Sequence, residues 1–417
     1  MTDKQIEMLT AQYGTPLYVF DIRALRARVA SLRRRLPPAV RLCFAVKANP
    51  FLLPELRGLV ERFEVCSPGE AQICERAHIP AAQQVISGVY KTPAVMERMF
   101  AQKNGPRLFT VESMRQIRLL CDLAARYERR IHVLLRLTSG NQFGMEREEI
   151  EQIVRDRAQH PFVSIRGVQF FSGTQKASLR RLERELKSVD DFLCGLRETQ
   201  DFAAQELEFG PGFPVRYFVG EEWDEDAFLA GFGALLGGLR CGARVTLELG
   251  RSIAADCGTY LTRVVDVKRN RGENYAIVDG GMHQLVYYGQ SMAMRHPHCR
   301  VFPPREGEAE NWNLCGSLCT INDILVKQLP VSALKCGDVF AFANTGAYCM
   351  TEGISLFLSR ALPRVVLVQP DGAPVLVREA VSTDRFNTAD YERMDQNGKT
   401  DGNSALSAPR CGLRLLP

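Results

Sequence analysis

The stretch Val40–Pro50, VRLCFAVKANP, decides how the first half of the chain folds. Val40, Leu42, Phe44 and Val46 alternate with Arg41, Cys43, Ala45 and Lys47 before the chain breaks at Asn49-Pro50. A period of two marks a strand; this one has an apolar face and a small-residue face that ends in an ammonium. Comparable runs follow: FEVC (63–66), QVIS (84–87), RLFTVE (107–112), HVLLRL (132–137), RGVQFF (166–171), LEFG (207–210) and VTLEL (245–249). Helical segments such as TPAVMERMFAQK (92–103) and SLRRLERELKSVDDFLCGLRET (178–199) separate them. Eight β/α repeats predict a closed parallel barrel of the TIM type, with an open doubly wound sheet as the rival.

Beyond about residue 255 the texture changes. YLTRVVDVKRN (260–270), NYAIVDGG (274–281), DVFAFANTG (338–346) and RVVLVQPDGAPVLVREA (364–380) read as strands, the last a hairpin turned at Gln369-Pro370-Asp371-Gly372. The expected division is a barrel over 28–255 and an all-β domain made of 1–27 and 256–417. The polar run 395–410 reads as loose, with CGLRLLP (411–417) able to dock.

A chain of 417 residues favours two domains, and 46% hydrophobic with 24% charged residues is ordinary for a globular protein. No signal peptide and no membrane span are read from the sequence. Thirteen cysteines, an odd number, read as reduced thiols and a cytoplasmic location rather than a disulfide framework. The net charge of +5 is mild, and its densest cluster is Arg23, Arg26, Arg28, Arg33, Arg34 and Arg35. That cluster is either a solvated helix face or a landing patch for an acidic partner; no nucleic-acid motif accompanies it. HPHC (296–299) matches no standard zinc spacing, so no metal is expected.

In a barrel the C-terminal strand ends carry the chemistry. Lys47, Glu64, Arg136, Gln169 and Glu248 all lie near strand ends, out of phase with the main apolar set. A lysine, an arginine and two glutamates at one rim suit a covalent lysine site. Two glycine-rich turns, EFGPGFPV (208–215) and ELGRSIAA (248–255), follow late strands, where backbone N–H groups and Arg251 can receive a phosphate. Together these features fit a phosphorylated cofactor condensed with a lysine.

The ordered motifs FAVKANP (44–50), EVCSPGE (64–70), ISGVYKT (86–92), RLTSGNQFGM (136–145), GVQFFSGTQ (167–175), EFGPGFP (208–214), LELGRSI (247–253), CGSLCTINDIL (315–325) and NTGAY (344–348) resemble those of the fold-type III pyridoxal-phosphate decarboxylases. That family includes diaminopimelate and ornithine decarboxylases and has an alanine racemase-like barrel with a β domain. The resemblance implies that Lys47 condenses with pyridoxal phosphate and that Glu248 pairs with its pyridine nitrogen. Gly210, Gly212, Thr174, Gly250, Arg251 and Tyr348 would hold the phosphate. Cys319 would return the proton, reaching in from the second subunit of a homodimer.

Departures from the family pattern narrow the substrate. Phe171 stands where the family stacks a histidine on the cofactor ring, and Pro211 removes one backbone donor from the phosphate turn. Thr320 replaces the acidic residue after the cysteine, with Asp323 retained, and the place of a substrate-binding arginine is taken by Val286 and Tyr287. His283 is a candidate substitute contact. A site without charged anchors disfavours a diamino acid. The motifs VDGGMH, LCTINDIL and NTGAY are similar to the branch that decarboxylates a glutamyl group carried on an acyl carrier protein, an acidic partner that would suit the arginine cluster. The alternatives are a basic amino acid decarboxylase, a racemase, or a non-catalytic regulator of the same fold.

Overall fold

The computed structural model describes residues 1–390, so the readings for 395–410 and 411–417 lie outside the described residues. After a helix, Asp3–Tyr13, and strand β1 (Leu17–Asp21), the chain enters helix Ile22–Arg35. Then come β2 (Arg41–Ala45), β3 (Arg62–Val65), β4 (Gln84–Ile86), β5 (Leu108–Val111), β6 (Ile131–Leu137), β7 (Val163–Phe171), β8 (Glu206–Gly210) and β9 (Arg244–Leu249). These eight close into a barrel, each parallel to its neighbour, with β2 paired to β9. The TIM-type reading therefore holds against the open sheet.

Residue types explain both faces. Outward side chains such as Leu42, Phe44, Phe63, Leu135, Phe209 and Leu247 join the large core under the helices, each worth about 1.5–3 kcal/mol when fully buried. Inside the barrel, Cys43, Val85, Leu108 and Leu134 form a separate small cluster. The rest of the interior is polar: Glu64, Gln169, Glu206, Glu208 and Thr246 are all buried. The connecting helices start on side-chain caps, Ser67 to Glu70, Thr92 to Val95, Ser113 to Gln116 and Asp224 to Ala227.

The second body is a nine-stranded sheet. It contains β10 (Gly258–Asn270), β11 (Glu273–Val278), β12 (Cys299–Phe302), β13 (Ala309–Cys315), β14 (Ile324–Ser332), β15 (Val339–Ala343), β16 (Arg364–Val368) and β17 (Pro374–Arg378), together with β1. Strand β1 is parallel to β16 and antiparallel to β10. The expected boundary at residues 27 and 28 falls inside helix Ile22–Arg35, whose N-cap is Asp21. No helix among the described residues is long and apolar enough to cross a membrane.

That helix spends much of its basic cluster internally. Arg28 reaches Glu225 at 2.6 Å, Arg33 reaches Glu61 at 2.7 Å, Arg26 reaches Glu55 at 2.9 Å, and Arg35 pairs with Asp226. A patch for an acidic partner would rest on the exposed Arg23 and Arg34, because the other four guanidinium groups answer carboxylates of their own chain.

Candidate active site

The barrel's C-terminal rim meets the second sheet around a cavity of about 330 Å³. The junction is tied by backbone-level contacts: Asn49 Nδ2 donates to Gly346 O at 2.8 Å and the Tyr348 N–H donates to Ala48 O at 2.9 Å. Lys47, Phe171, Thr174, Gly212, Glu248, Gly250, Arg251 and Tyr348 all line this cavity. Phe213 and Ser252, inside the two glycine-rich turns but not singled out there, also line it, as do Tyr288 and Glu352, which no period or motif marks.

Lys47 corrects one detail of the strand reading. Strand β2 stops at Ala45, and Lys47 sits in a 3-10 turn over Val46–Ala48. The turn forms because Asn49 folds back to accept the Phe51 N–H and Pro50 cannot continue a ladder. Its side chain, 40 % exposed, enters the cavity with Nζ 2.5 Å from Glu64 Oε2, 3.6 Å from Glu248 Oε1 and 3.6 Å from Cys66 Sγ. Burial works against the ammonium, but the Glu64 and Glu248 carboxylates outweigh it and hold the Lys47 pKa well above its ordinary value. Glu64 is pushed down by Lys47 against its own burial, while burial and the Glu64 charge push Glu248 up. Gln169 Nε2 donates to Glu248 Oε2 at 2.9 Å, which leaves Glu248 Oε1 facing the lysine.

A basic, glycine-rich part of the lining could receive an anion. Arg251 is buried, with Nε 3.3 Å from Thr174 Oγ1 and Nη1 donating to the Tyr217 hydroxyl at 2.8 Å. Its guanidinium also lies over the rings of Tyr348, Tyr288 and Tyr217 at 4.5, 4.8 and 5.7 Å. Gly212 has φ +59°, and a Cβ there would stand 2.1 Å from Gly173 O. A Cβ on Gly250 would stand 2.9 Å from Ala48 Cβ and 3.0 Å from the Tyr348 hydroxyl. Gly210 is pressed against the Phe171 ring, where a Cβ would meet Cδ2 at 2.5 Å. Tyr348 itself adopts φ +64°, a conformation costing about 1–2 kcal/mol, held by its own N–H bond and by the Thr351 and Glu352 N–H groups on its carbonyl. Burial pushes its hydroxyl up to about 12, so it remains a donor. A lysine, a carboxylate across from it, an aromatic wall and a glycine–arginine cradle fit pyridoxal phosphate in size and chemistry.

Five candidates do not line this cavity: Gly210, which lies behind the Phe171 ring, and Cys319, Thr320, Asp323 and His283. Cys319 is exposed and Thr320 half-buried, on the loop after β13. Asp323 is buried and occupied: its oxygens accept the Met282 N–H at 2.7 Å and the Leu318 N–H at 2.8 Å. It thus shapes the loop that carries Cys319 instead of facing the Lys47 cavity. His283 is buried, and its pKa falls to about 4 through burial and the nearby Arg360. Tyr287 is buried too and donates to Ala343 O at 2.6 Å. At HPHC, His296 Nε2 lies 3.0 Å from Lys327 O, a loop contact.

The model of pyridoxal-dependent decarboxylases with a C-terminal sheet domain matches residues 17–346. The chain is 31% identical over 369 residues to the diaminopimelate decarboxylase of Pseudomonas aeruginosa, covering 82% of this chain and 85% of that one. It is 26% identical over 413 residues to the L-glutamyl-[BtrI acyl-carrier protein] decarboxylase of Niallia circulans, covering 91% and 94%. Among solved structures, diaminopimelate decarboxylase from M. jannaschii in complex with L-lysine superposes with a TM-score of 0.80 at 22% identity, covering 89% and 91%. With lysine, carboxylate and anion cradle assembled at a barrel mouth and the family model spanning both bodies, the chain belongs to the pyridoxal-dependent decarboxylases, carboxy-lyases that work with pyridoxal phosphate.

Proposed function

We propose that this chain removes the α-carboxylate of an aminoacyl group whose distal end is uncharged because it is tethered to a carrier protein. The observation that carries the reading is the distal-contact set: Thr320 in place of an acid, Val286 and Tyr287 in place of an arginine, and Asp323 already satisfied by backbone. A free diamino acid would leave its distal charge unpaired at such a site. The similarity to a glutamyl-carrier decarboxylase runs the same way.

In this reading Lys47 would hold the cofactor through its aldehyde, and Glu248 would serve its pyridine nitrogen. Thr174, Gly210, Gly212, Gly250, Arg251 and Tyr348 surround the phosphate, and Phe171 lies against the ring. Bound pyridoxal phosphate supplies the electron sink for the pair left when the Cα–carboxylate bond breaks. Glu64 would hold the free Lys47 amine in place, as its 2.5 Å contact with Nζ does here. Phe171 excludes water from one face and, unlike a histidine, moves no proton. Cys319 of the partner subunit returns a proton to Cα, so the working unit is a homodimer with shared sites.

One observation favours a second reading. Glu352 lines the cavity and brings a carboxylate that a distal ammonium could meet, as a basic amino acid decarboxylase requires. Mass spectrometry decides between them: loss of carbon dioxide from a glutamyl-carrier protein with free diaminopimelate, lysine and ornithine untouched supports the first. Turnover of a free diamino acid that Glu352→Gln abolishes would replace it with the second.

A further inference from the structure

Glu208 lies in the middle of the barrel on β8 and is 0 % exposed. Neither of its carboxyl oxygens has a hydrogen-bond partner among the described residues. Gln169, on β7, sits opposite it in register. Because the Gln169 amide nitrogen is committed to Glu248, its Oε1 is left buried and likewise unpartnered. Buried acceptors left without a hydrogen-bond partner cost about 1–3 kcal/mol each. A single proton on Glu208 answers two of these three oxygens, since a carboxylic acid O–H can donate to Gln169 Oε1.

We propose that Glu208 is a positioning residue: as a neutral acid it donates to Gln169 Oε1 and thereby keeps the Gln169 amide turned with its NH₂ toward Glu248.

The charges that face Glu208 agree with a neutral acid. Arg62 on β3 comes within 4.0 Å of Glu208 Oε2, but its guanidinium is forked onto Glu206, which Thr246 on β9 also serves at 2.8 Å. Glu206 on the same strand, Glu248 on β9 and Glu64 on β3 all bring carboxylates, and Cys43 on β2 brings a thiol. Burial, then the Glu248 and Glu206 charges, push the Glu208 pKa well above the carboxylate range. The consequence reaches the cofactor end. If the Gln169 amide turned over, an acceptor would face Glu248 Oε2 and its carboxylate would take up a proton, losing the charge that faces the pyridine nitrogen. The inference rests on that proposed role of Glu248.

Infrared difference spectroscopy of the cofactor-free full chain at neutral pH tests the protonation directly. The expected result is a carboxylic acid carbonyl component that Glu208→Gln removes, Glu248→Gln leaves, and Gln169→Leu shifts toward that of an unbonded acid, distinct from the component of Glu248, which burial and the Glu64 charge also push up. Loss of no component in Glu208→Gln, or indifference of the lost component to Gln169→Leu, would overturn the proposal. Cofactor titration supplies the second arm. Glu208→Leu should bind pyridoxal phosphate about tenfold more weakly than Glu208→Gln, whose amide can still donate to Gln169. Equal affinities would overturn the positioning role. The infrared arm needs no cofactor, so failure of the Glu248 assignment and failure of the Glu208 proposal give different results.

Discussion

Substituting Gly212 by alanine isolates the anion cradle from the rest of the site. The new methyl would sit at φ +59°, 2.1 Å from Gly173 O and 2.9 Å from Thr174 Cα. The left-handed backbone alone costs about 1–2 kcal/mol for a side chain with a Cβ. Relieving the clash requires the 173–174 turn to retreat by more than about 1 Å to reach ordinary contact. Thr174 Oγ1 accepts from Arg251 Nε, so the guanidinium loses a positioning contact as the turn moves. A misdirected charge-assisted bond to phosphate is worth about 2 kcal/mol, or roughly thirtyfold in Kd. Gly220 provides the control: it has φ +84°, and a Cβ there meets nothing within 4 Å. Gly220→Ala should therefore show the backbone penalty in thermal denaturation without any change in cofactor affinity. Titrating both variants with pyridoxal phosphate, followed by the visible absorption of lysine-bound cofactor, reads the difference. If Gly212→Ala bound cofactor as tightly as Gly220→Ala, the cradle assignment would be wrong.

Lys47→Ala should abolish that visible band in protein supplied with cofactor, and a band that survives would remove the lysine from its proposed role. His283 makes stability acid-sensitive: its neutral ring, with a pKa near 4, binds fewer protons folded than unfolded, so stability is lost as pH falls from 6.5 through 4. Between pH 7 and 5 the loss is about 2 kcal/mol, and denaturant titrations should show it shrinking in His283→Gln; an unchanged pH slope contradicts the assignment. Mixing Lys47→Ala with Cys319→Ala chains under conditions of subunit exchange should restore carbon dioxide release that neither gives alone. No recovery would count against shared sites.

Local pattern settled much of this protein. The alternation around Phe44 and its seven counterparts specifies strands, and parallel strands joined by capped helices have few ways to close, so the barrel was legible in the chain. Lys47, Glu248 and Arg251 were legible too, because they stand at strand ends and turns whose direction the period of two defines. Other features depend on distance along the chain collapsing in space. Residues 1–27 are grouped with the β domain from sequence, but the pairing of strand β1 with β10 and β16, more than two hundred residues away, could not be read from sequence alone. Tyr217, Tyr288 and Glu352 carry no periodic mark, and they gain meaning only where loops from the barrel and the sheet meet Arg251. The arginine cluster illustrates the converse: its charge is plain in the sequence, but whether it is free depends on Glu55, Glu61, Glu225 and Asp226 folding back onto it. Sequence by itself determined which groups this chain would hold in its barrel. Tertiary structure decided which carboxylates share Lys47 and which lie buried below it, because burial and proximity, not residue identity, set where each charge can exist.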